Sequence, residues 1–298
     1  IGPFIGGEFS SPADRWGVFA DTVFETFPYL LPCVIASVLS TGSLVLAYFK
    51  LPESIDVEAA QPTERVSWGR QFIDMTRNSV AMLGKPGIGA MIWVATLFIL
   101  GFTIMHSVFI LYTEMDAASG GLGFSEQDNG RMFAMIGLLG IFTQGALIGP
   151  LTRRFGTRRL IPMSILLTGL GLTLIPYTQA SMAWLQLFFV VTCIAIGNGV
   201  FQPSTSTYLT RLARKDGYDL GVVMGAQESL SAFARIFGPL GGGIVWELTV
   251  GRGFPWDYHT VFHVCGLLMV ISAVLTLRIP RLPEINEAES MPSAPGVN

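Results

Sequence analysis

Charged residues are scarce in this sequence. They fill 13% of its 298 positions, whereas 51% of the positions are hydrophobic. A soluble globular domain usually carries about 25% charged residues. The mean hydropathy of +0.54 indicates that most of the surface does not face water. The net charge of −3 shows no basic excess, so the composition argues against nucleic acid as a partner.

Cysteine is also rare. Cys33, Cys193 and Cys265 lie in apolar runs and show no paired spacing, so we expect small buried side chains that form neither a disulfide bond nor a metal site. His259 and His263 are four residues apart, but no carboxylate or cysteine stands at a supporting spacing. The sequence therefore predicts no metal and no cofactor.

Signatures of catalysis are missing as well. The sequence has no phosphate-binding loop of the kind that ATP-driven pumps use. It also has no nucleophile cluster or repeated pore motif, which a membrane enzyme or a channel would need, so we predict that the protein is not an enzyme. No signal peptide opens the chain, and it begins at Ile1 without an initiator methionine, so we expect upstream residues to be missing.

Long apolar runs are what the sequence does contain. A helix needs about 20 mostly apolar residues to cross roughly 30 Å of hydrocarbon, and an open strand would leave backbone groups unpaired in lipid. The predicted spans are residues 28–49, 88–113, 131–149, 160–178, 183–209, 220–247 and 259–279, and residues 1–7 are interpreted as the end of another. The predicted fold class is an all-α membrane protein with about eight transmembrane helices.

The distribution of lysine and arginine predicts which side of the membrane faces the cytoplasm. Every second connection between the predicted spans is rich in basic residues. These connections hold most of the 18 basic residues, namely Lys50, Arg65, Arg70, Arg77, Lys85, Arg153, Arg154, Arg158, Arg159, Arg211, Arg214, Lys215, Arg278 and Arg281. Cytoplasmic loops carry such an excess, so these connections and the C-terminus are predicted to be cytoplasmic in a multi-pass protein of the cell membrane. The opposite side holds an expected interfacial belt of Trp16, Trp184, Trp246 and Trp256.

The longest connection contains a second periodic pattern. Apolar residues recur at helical spacing after Thr63, at Trp68, Phe72, Met75 and Met82. This spacing is typical of an amphipathic helix on the inner membrane surface, and an ordinary linker helix would also produce it. The acidic tail after Pro283 is predicted to be disordered.

An internal repeat indicates two related halves. Gly2-Pro3-Phe4-Ile5-Gly6-Gly7 returns as Gly238-Pro239-Leu240-Gly241-Gly242-Gly243. Each copy precedes a short loop, one apolar span and the tripeptide Leu-Pro-Glu, at 51–53 and at 282–284. Parallel repeats of this kind occur in some transporter folds.

These features resemble the major facilitator superfamily, and most closely its drug/proton antiporter branch, which includes tetracycline-efflux carriers. The first copy of the repeat resembles the end of the antiporter motif that closes helix 5. The run Gly149-Pro150-Leu151-Thr152-Arg153-Arg154-Phe155-Gly156-Thr157-Arg158-Arg159 resembles the second copy of the family's cytoplasmic loop motif, although Arg153 stands where that motif usually has Asp. Gly197-Asn198-Gly199, Gln202-Pro203 and Gly221 to Pro239 resemble helices 10 and 11 of tetracycline-type carriers.

The resemblance implies a domain organisation. Residues 1–50 would be the end of a first six-helix bundle, residues 51–87 the cytoplasmic linker, residues 88–280 the second six-helix bundle and residues 281–298 a cytoplasmic tail. The chain would then correspond to helices 5–12 of twelve. The intact protein is expected to be a monomer in the lipid bilayer.

Polar residues inside the spans are the candidate site. A charge in hydrocarbon costs about 2.5–3.5 kcal/mol even on insertion scales, so it usually marks a cavity or a pathway. The residues of this kind are His106, Gln144, Asn198, Gln202, Gln227, Glu228 and Arg235. The resemblance implies that their helices line a central cavity. Each side chain also has a structural interpretation, since polar groups tie helices together in membranes.

The roles expected of these residues differ. His106, the three glutamines and Asn198 are predicted to bind substrate, whereas Glu228 and Arg235 are predicted to form a proton-coupling polar network or, alternatively, a static ion pair. Their stripe on the helix, which includes Gly221, Gly225 and Ala232, is expected to face protein.

The predicted function is secondary transport by alternating access. Proton-coupled efflux of small amphipathic molecules or drugs is the first hypothesis, since amides, one histidine and aromatic residues suit such a substrate. The alternative is an uptake carrier for a sugar, an organic acid or another metabolite. The conformational residues implied by the resemblance are Gly2, Pro3, Gly6, Gly7, Gly149, Arg154, Gly156, Arg158, Gly238 and Pro239.

Overall fold

A computed structural model describes residues 2–51, 76–77, 79–253 and 256–282, and the regular structure of these residues is helical, without a strand. This confirms the predicted all-α class. The first helices are α1 (Gly2–Glu8), α2 (Pro12–Arg15), α3 (Val23–Thr26) and α4 (Leu30–Lys50). The later helices are α5 (Ile88–Glu114), α6 (Glu126–Phe142), α7 (Ile148–Phe155), α8 (Thr157–Leu174), α9 (Ala183–Lys215), α10 (Leu220–Thr249) and α11 (His259–Leu275).

Helix boundaries follow from capping residues and one glycine turn. Ser125 and Asp128 form a capping box, in which each side chain accepts a hydrogen bond from the backbone N–H of the other residue at the start of α6. Asp219 caps α10 by accepting from the Val222 N–H at 3.0 Å. Gly156 separates α7 from α8 with a φ of 71°, which residues with a Cβ rarely adopt.

Six helical stretches of the described chain are long and apolar enough to cross a membrane. They are Leu30–Lys50, Ile88–Glu114, Glu126–Phe155, Thr157–Tyr177, Ala180–Lys215 and His259–Arg278. Helix α10 has 30 residues but is not among them, because Gln227, Glu228 and Arg235 lower its average hydropathy. The passage of α10 through the membrane therefore stays a prediction, as does the span that α1 would close.

Close packing holds α10 against α5. A Cβ atom added at Gly238 would lie 2.2 Å from Thr103 Oγ1, and one added at Gly242 would lie 2.9 Å from Ser107 Oγ. The Thr103 hydroxyl donates across this contact to the Ala234 carbonyl at 3.2 Å. Helices in lipid associate through such close contacts and interhelical hydrogen bonds, because lipid tails are as apolar as the side chains. The second copy of the repeat thus forms a packing surface.

The end of α1 is tied to the start of α6. A Cβ atom added at Gly7 would lie 3.1 Å from Gly130 Cα. Beside this contact, the Glu8 carboxylate pairs with Arg131 Nε at 3.0 Å and with Arg15 Nη1 at 3.1 Å. The hydrogen bond from Arg131 is the largest of the causes that lower the pKa of Glu8 from its ordinary value. An ion-pair cluster therefore joins the predicted first and second bundles.

The burial expected for the cysteines is right for Cys265 and wrong for Cys33. Cys265 is buried, Cys193 is half-buried and Cys33 is exposed on α4, a helix that has no buried residue. Apolar residues of a membrane helix face lipid as readily as protein, so hydropathy alone did not distinguish the two environments.

The tryptophan belt needs one correction. Trp16, Trp184 and Trp256 are exposed, but Trp246 is 8% exposed and packs within the core of the bundle. Trp246 lies on α10 four residues after Gly242, on the side of the helix that meets α5. Position near a helix end therefore did not predict the direction of its side chain.

Two predicted segments lie outside the described residues. The amphipathic pattern that begins at Thr63 falls largely within residues 52–75, and the tail that follows Pro283 falls within residues 283–298. The predicted domain boundaries at residues 50, 87 and 280 remain predictions.

The predicted orientation can be tested by thiol labelling. We expect an impermeant reagent to label Ala118→Cys from outside intact cells and to leave Lys215→Cys unlabelled, in a background without the three native cysteines. Ala118 lies between α5 and α6, Lys215 ends α9, and both side chains are exposed. Permeabilised cells are the control, because both sites must react there. Labelling of Lys215→Cys from outside would contradict the orientation.

Candidate functional site

A cleft of about 470 Å³ opens between α5, α9 and α10. Its lining residues are Phe98, Ile99, Phe102, Thr103, His106, Ser107, Asn198, Gln202, Arg235 and Pro239. Four of the polar residues that the sequence singled out, His106, Asn198, Gln202 and Arg235, therefore share one cleft with Pro239 of the repeat. Small-molecule sites commonly occupy about 300–1,000 Å³, so the cleft has the size of a binding site.

The apolar wall of the cleft is a row of aromatic rings. Phe98 of α5 stacks on Phe201 of α9 with ring centroids 3.8 Å apart, and Phe102 lies at an interplanar angle of 9° to Phe98. His106 continues the row, with its ring 5.4 Å from that of Phe102 and 5.3 Å from that of Phe133. Residues 98, 102 and 106 recur every four positions, which places them along one face of α5.

Two glycines fix the position of Asn198 in this cleft. A Cβ atom added at Gly197 would lie 2.2 Å from Thr168 Oγ1 on α8, and one added at Gly199 would lie 2.9 Å from Thr143 Cγ2. Helix α9 is thus in close contact with a different neighbour on each of two sides, while Asn198 between them lines the cleft. The Gly-Asn-Gly triplet therefore combines two close packing contacts with one polar side chain that faces the cleft.

The polar groups of the cleft differ in their hydrogen bonds. The Thr103 hydroxyl donates to the Ile99 carbonyl at 2.8 Å, and the Ser107 hydroxyl donates to the Ile104 carbonyl at 2.7 Å. Both hydroxyls therefore bond to their own helix. The side-chain amides of Asn198 and Gln202 have no hydrogen-bond partner among the described residues. These two amides are the ones available to a ligand.

Glu228 and Arg235 form an ion pair along α10. Arg235 Nη1 donates to Glu228 Oε1, and the two side chains are 50% exposed for Arg235 and 63% exposed for Glu228. Arg235 lines the cleft, whereas Glu228 does not. Among the cleft residues of the described chain, Arg235 is the one with a permanent charge. The ion pair therefore connects the cleft to a carboxylate outside it.

The face of α10 that carries this pair does not pack as expected. Gly225 has no atom within 4 Å of an added Cβ, and Gly221 and Ala232 are exposed. The expectation that this stripe faces a neighbouring helix is wrong for the described chain. The glycines of α10 that do make close contact with another helix are Gly238 and Gly242. Small side chains permit close contact on any face, and the position of α5 decides which face is used.

Gln144 and Gln227 do not line the cleft. Gln144 is exposed in a five-residue π-helix, Thr143–Leu147, which joins α6 to α7. Such insertions are rare and often lie at functional sites. Gln227 is 8% exposed, and its Oε1 atom has no hydrogen-bond partner in the described part of the chain. The five predicted substrate residues are therefore divided between the cleft and two other places.

The predicted loop motif lies at the junction of α7 and α8. Arg154 is exposed near the end of α7, and Gly156 forms the turn. Arg158 Nη2 donates to the Ile279 carbonyl at 3.1 Å. This bond ties the start of α8 to the segment that follows α11, so Arg158 has a structural partner on the predicted cytoplasmic side.

Three of the glycines that the resemblance implies are conformational residues make no close contact in the described chain. Gly2, Gly6 and Gly149 have no atom within 4 Å of an added Cβ in the described chain. The side chain of Pro3 lies outside the described residues. Gly7 is therefore the glycine of the first repeat that makes a close contact with another helix.

A polar cluster at the start of α11 was missed by sequence reasoning. Asp257 Oδ1 lies 2.8 Å from His259 Nδ1, and Tyr177 Oη lies 2.9 Å from His263 Nε2. Asp257 stands two residues before His259 and contacts its ring, a pairing that the spacing of the two histidines did not predict. Among the described residues, no group of three ligand-type side chains could hold a metal ion.

Comparisons with known proteins identify the family. The sequence profile of the Major Facilitator Superfamily matches residues 97–295. A probable peptide/nitrate transporter from Arabidopsis thaliana is 27% identical over 96% of this chain and 63% of its own length. Multidrug resistance protein 2 from Bacillus subtilis is 23% identical over 84% of the chain and 57% of its own length.

A third relative covers nearly all of the chain. The class H tetracycline resistance protein from Pasteurella multocida is 23% identical over 99% of this chain and 63% of its own length. The chain thus spans between 57% and 63% of the length of these three relatives.

Proposed function

This chain belongs to the Major Facilitator Superfamily of secondary transporters, and we propose that it forms part of a carrier that exports small amphipathic molecules in exchange for protons. The observation that carries the proposal is the cleft between α5, α9 and α10. Its aromatic row lies beside two carboxamides and a guanidinium. Such a surface suits a molecule that is apolar over most of its body and polar at a few points.

The Glu228–Arg235 pair supports proton coupling. Seven residues correspond to about two turns, or roughly 10.5 Å along a helix, so the long side chains must lean together to pair, as they do. A carboxylate that takes up a proton loses its attraction for a guanidinium. Protonation of Glu228 is thereby linked, through a single ion pair, to the contacts that Arg235 makes in the cleft.

The relatives support two classes of substrate. Two are named for multidrug and tetracycline resistance, which favours export, and one is named as a probable peptide/nitrate transporter. The alternative to drug export is therefore uptake of a metabolite. An exporter of this kind moves protons against the flow of its substrate, whereas an uptake symporter moves both in one direction.

Replacement of Glu228 by glutamine tests the coupling role. In liposomes that contain the complete carrier, we expect Glu228→Gln to abolish proton-driven transport of tetracycline while exchange of tetracycline across the membrane persists. Glutamine keeps the shape of the side chain and removes its titration. Glu247→Gln is the matched control, because Glu247 is an exposed carboxylate of the same helix that does not line the cleft.

Two outcomes would count against the proposal. Full proton-driven transport by Glu228→Gln would assign Glu228 a structural role instead of a coupling role. Proton movement in the same direction as a transported dipeptide, without transport of tetracycline, would favour the uptake alternative.

A further inference from the structure

The charge of the cleft disfavours an organic cation. Arg235 is its one permanently charged lining residue, and no carboxylate of the described chain lines it. A bound cation would lie close to the guanidinium and would meet no carboxylate among the described lining residues, since Glu228 pairs with Arg235 outside the cleft. Like charges repel more strongly where water is partly excluded. A ligand with a negatively charged group would gain from the same guanidinium.

Arg235 retains hydrogen-bond donors for such a group. A guanidinium carries five N–H donors in a fixed fork, and Glu228 accepts from Nη1 in the described structure. The Arg235 side chain is 50% exposed, so other donors of the fork remain accessible. Arg235 is therefore positioned between Glu228, which does not line the cleft, and the interior of the cleft itself.

The neighbouring groups complete a site for an amphipathic acid. Asn198 and Gln202 are four residues apart on α9 and both line the cleft, so their amides lie on one helix face. Each amide offers N–H donors and lacks a hydrogen-bond partner among the described residues. The half-buried ring of Phe102 provides an apolar surface for a hydrocarbon body, and the fully buried ring of Phe98, nearly parallel to it at 9°, supports it from within the bundle.

We infer, on the basis of the proposed transport function, that the substrate is an amphipathic carboxylate or zwitterion whose carboxylate binds Arg235 in competition with Glu228. Carboxylates bind guanidinium groups through two parallel N–H···O bonds, which are stronger than neutral hydrogen bonds. Binding of the substrate then exchanges one partner of Arg235 for another. No covalent step is required.

This inference predicts effects of opposite sign for the two members of one ion pair. Arg235→Gln removes the anchor of the substrate carboxylate, so binding of an acid weakens. Glu228→Gln removes the competitor of that carboxylate, so binding of an acid strengthens. A static ion pair that only holds the helix in place predicts the same loss for both variants, because each of them breaks the pair.

Binding of three matched probes tests the inference. The probes are 2-naphthoate, 2-naphthamide and 2-naphthylmethylammonium, which share one apolar body and differ in charge. Calorimetric titration of the complete carrier in detergent is expected to give 2-naphthoate an affinity at least about tenfold above that of 2-naphthamide, which corresponds to one charge-assisted contact. The cationic probe is expected to bind most weakly.

The variants give the decisive comparison. We expect Arg235→Gln to abolish the preference for naphthoate with less than about a twofold change for naphthamide, and Glu228→Gln to raise naphthoate affinity severalfold. Arg252→Gln, which removes an exposed arginine from the loop after α10, is the matched control and is expected to have no effect. If Arg235→Gln fails to fold, Arg235→Lys is expected to retain the charge preference with reduced affinity, because it keeps the charge and loses the fork.

The outcomes separate this inference from the proposed function. Equal weakening of naphthoate by Glu228→Gln and Arg235→Gln, or tighter binding of the cation than of the acid, would overturn the anion site. A preserved preference for naphthoate together with full proton-driven transport by Glu228→Gln would leave the anion site intact and reject the coupling role.

Discussion

Replacement of Gly197 by alanine is expected to lower the free energy of unfolding by about 1–3 kcal/mol, the usual range for overpacking, and to reduce the yield of monodisperse protein. The added methyl carbon would lie 2.2 Å from Thr168 Oγ1, 2.7 Å from the Ser164 carbonyl oxygen and 2.9 Å from the Thr168 backbone nitrogen. Two of these atoms belong to the backbone of α8, so rotation of a side chain does not relieve the contact and the helices must separate.

Gly241→Ala is the matched control for this experiment. Gly241 lies within a helix and has no atom within 4 Å of an added Cβ. Alanine is favoured over glycine in a helix interior by about 0.5–1 kcal/mol, so this variant should be as stable as the parent or more stable. Urea titration followed by tryptophan fluorescence measures both variants. Equal stability of the two variants would show that α8 and α9 can separate at this contact without lowering the free energy of unfolding.

The Gly197 variant should also alter the cleft. Asn198 follows Gly197 on α9, so separation of α9 from α8 moves the Asn198 amide relative to the aromatic row on α5. We expect the residual folded fraction of Gly197→Ala to bind 2-naphthoate more weakly than the Gly241→Ala variant does. Unchanged binding would show that the position of Asn198 does not depend on this packing.

Residues 1–298 alone are expected to show no substrate-dependent proton flux in liposomes. Alternating access requires two bundles that move around a central site, and the described chain leaves Gln144, Gln202, Glu228 and Arg235 exposed on its surface. We expect a cleft that is open on one side to bind substrate without separating one side of the membrane from the other. The chain spans 63% of the length of the tetracycline resistance relative that it matches.

Proton flux is measured with a pH-sensitive dye trapped in the liposomes, and liposomes that contain a complete tetracycline carrier are the positive control. The same preparation of residues 1–298 should still bind 2-naphthoate if the cleft is formed. Flux from residues 1–298 on addition of tetracycline would show that the chain transports by itself or as an oligomer.

Much of the candidate site could be predicted because the hydrocarbon interior penalises polar residues. His106, Asn198, Gln202 and Arg235 stand out in apolar runs for that reason, and the structure brings all four to one cleft. Gln144 and Gln227 carry the same signal and lie elsewhere. A polar residue in an apolar run is expected to avoid lipid. The rotation of each helix then decides whether that side chain lies in the cleft, in the protein interior or on an exposed face.

The face of α10 that carries Glu228 and Arg235 also shows that the sequence of one helix does not specify which neighbour each of its faces meets. Spacing of seven residues correctly placed both charges on one side of α10, since helical geometry depends only on the local backbone. Their neighbours Gly225 and Ala232 were expected to meet a helix and do not, because α5 occupies the adjacent face through Gly238 and Gly242. The partner of a helix face is a property of the assembled bundle.

The sequence by itself determined the helical class, the family and the six apolar helices that are long enough to cross a membrane. The length of an apolar run and the order of short motifs are local properties, and a helix is the structure that satisfies the backbone of such a run in lipid. Only the tertiary structure decided that Phe98, Asn198 and Arg235 line one cleft and that Asp257 supports His259. Helix α10 meets α5 through close contacts at Gly238 and Gly242, and α9 meets α8 through a close contact at Gly197. Such contacts depend on how neighbouring helices rotate and cross, and no periodicity within one helix specifies that relation.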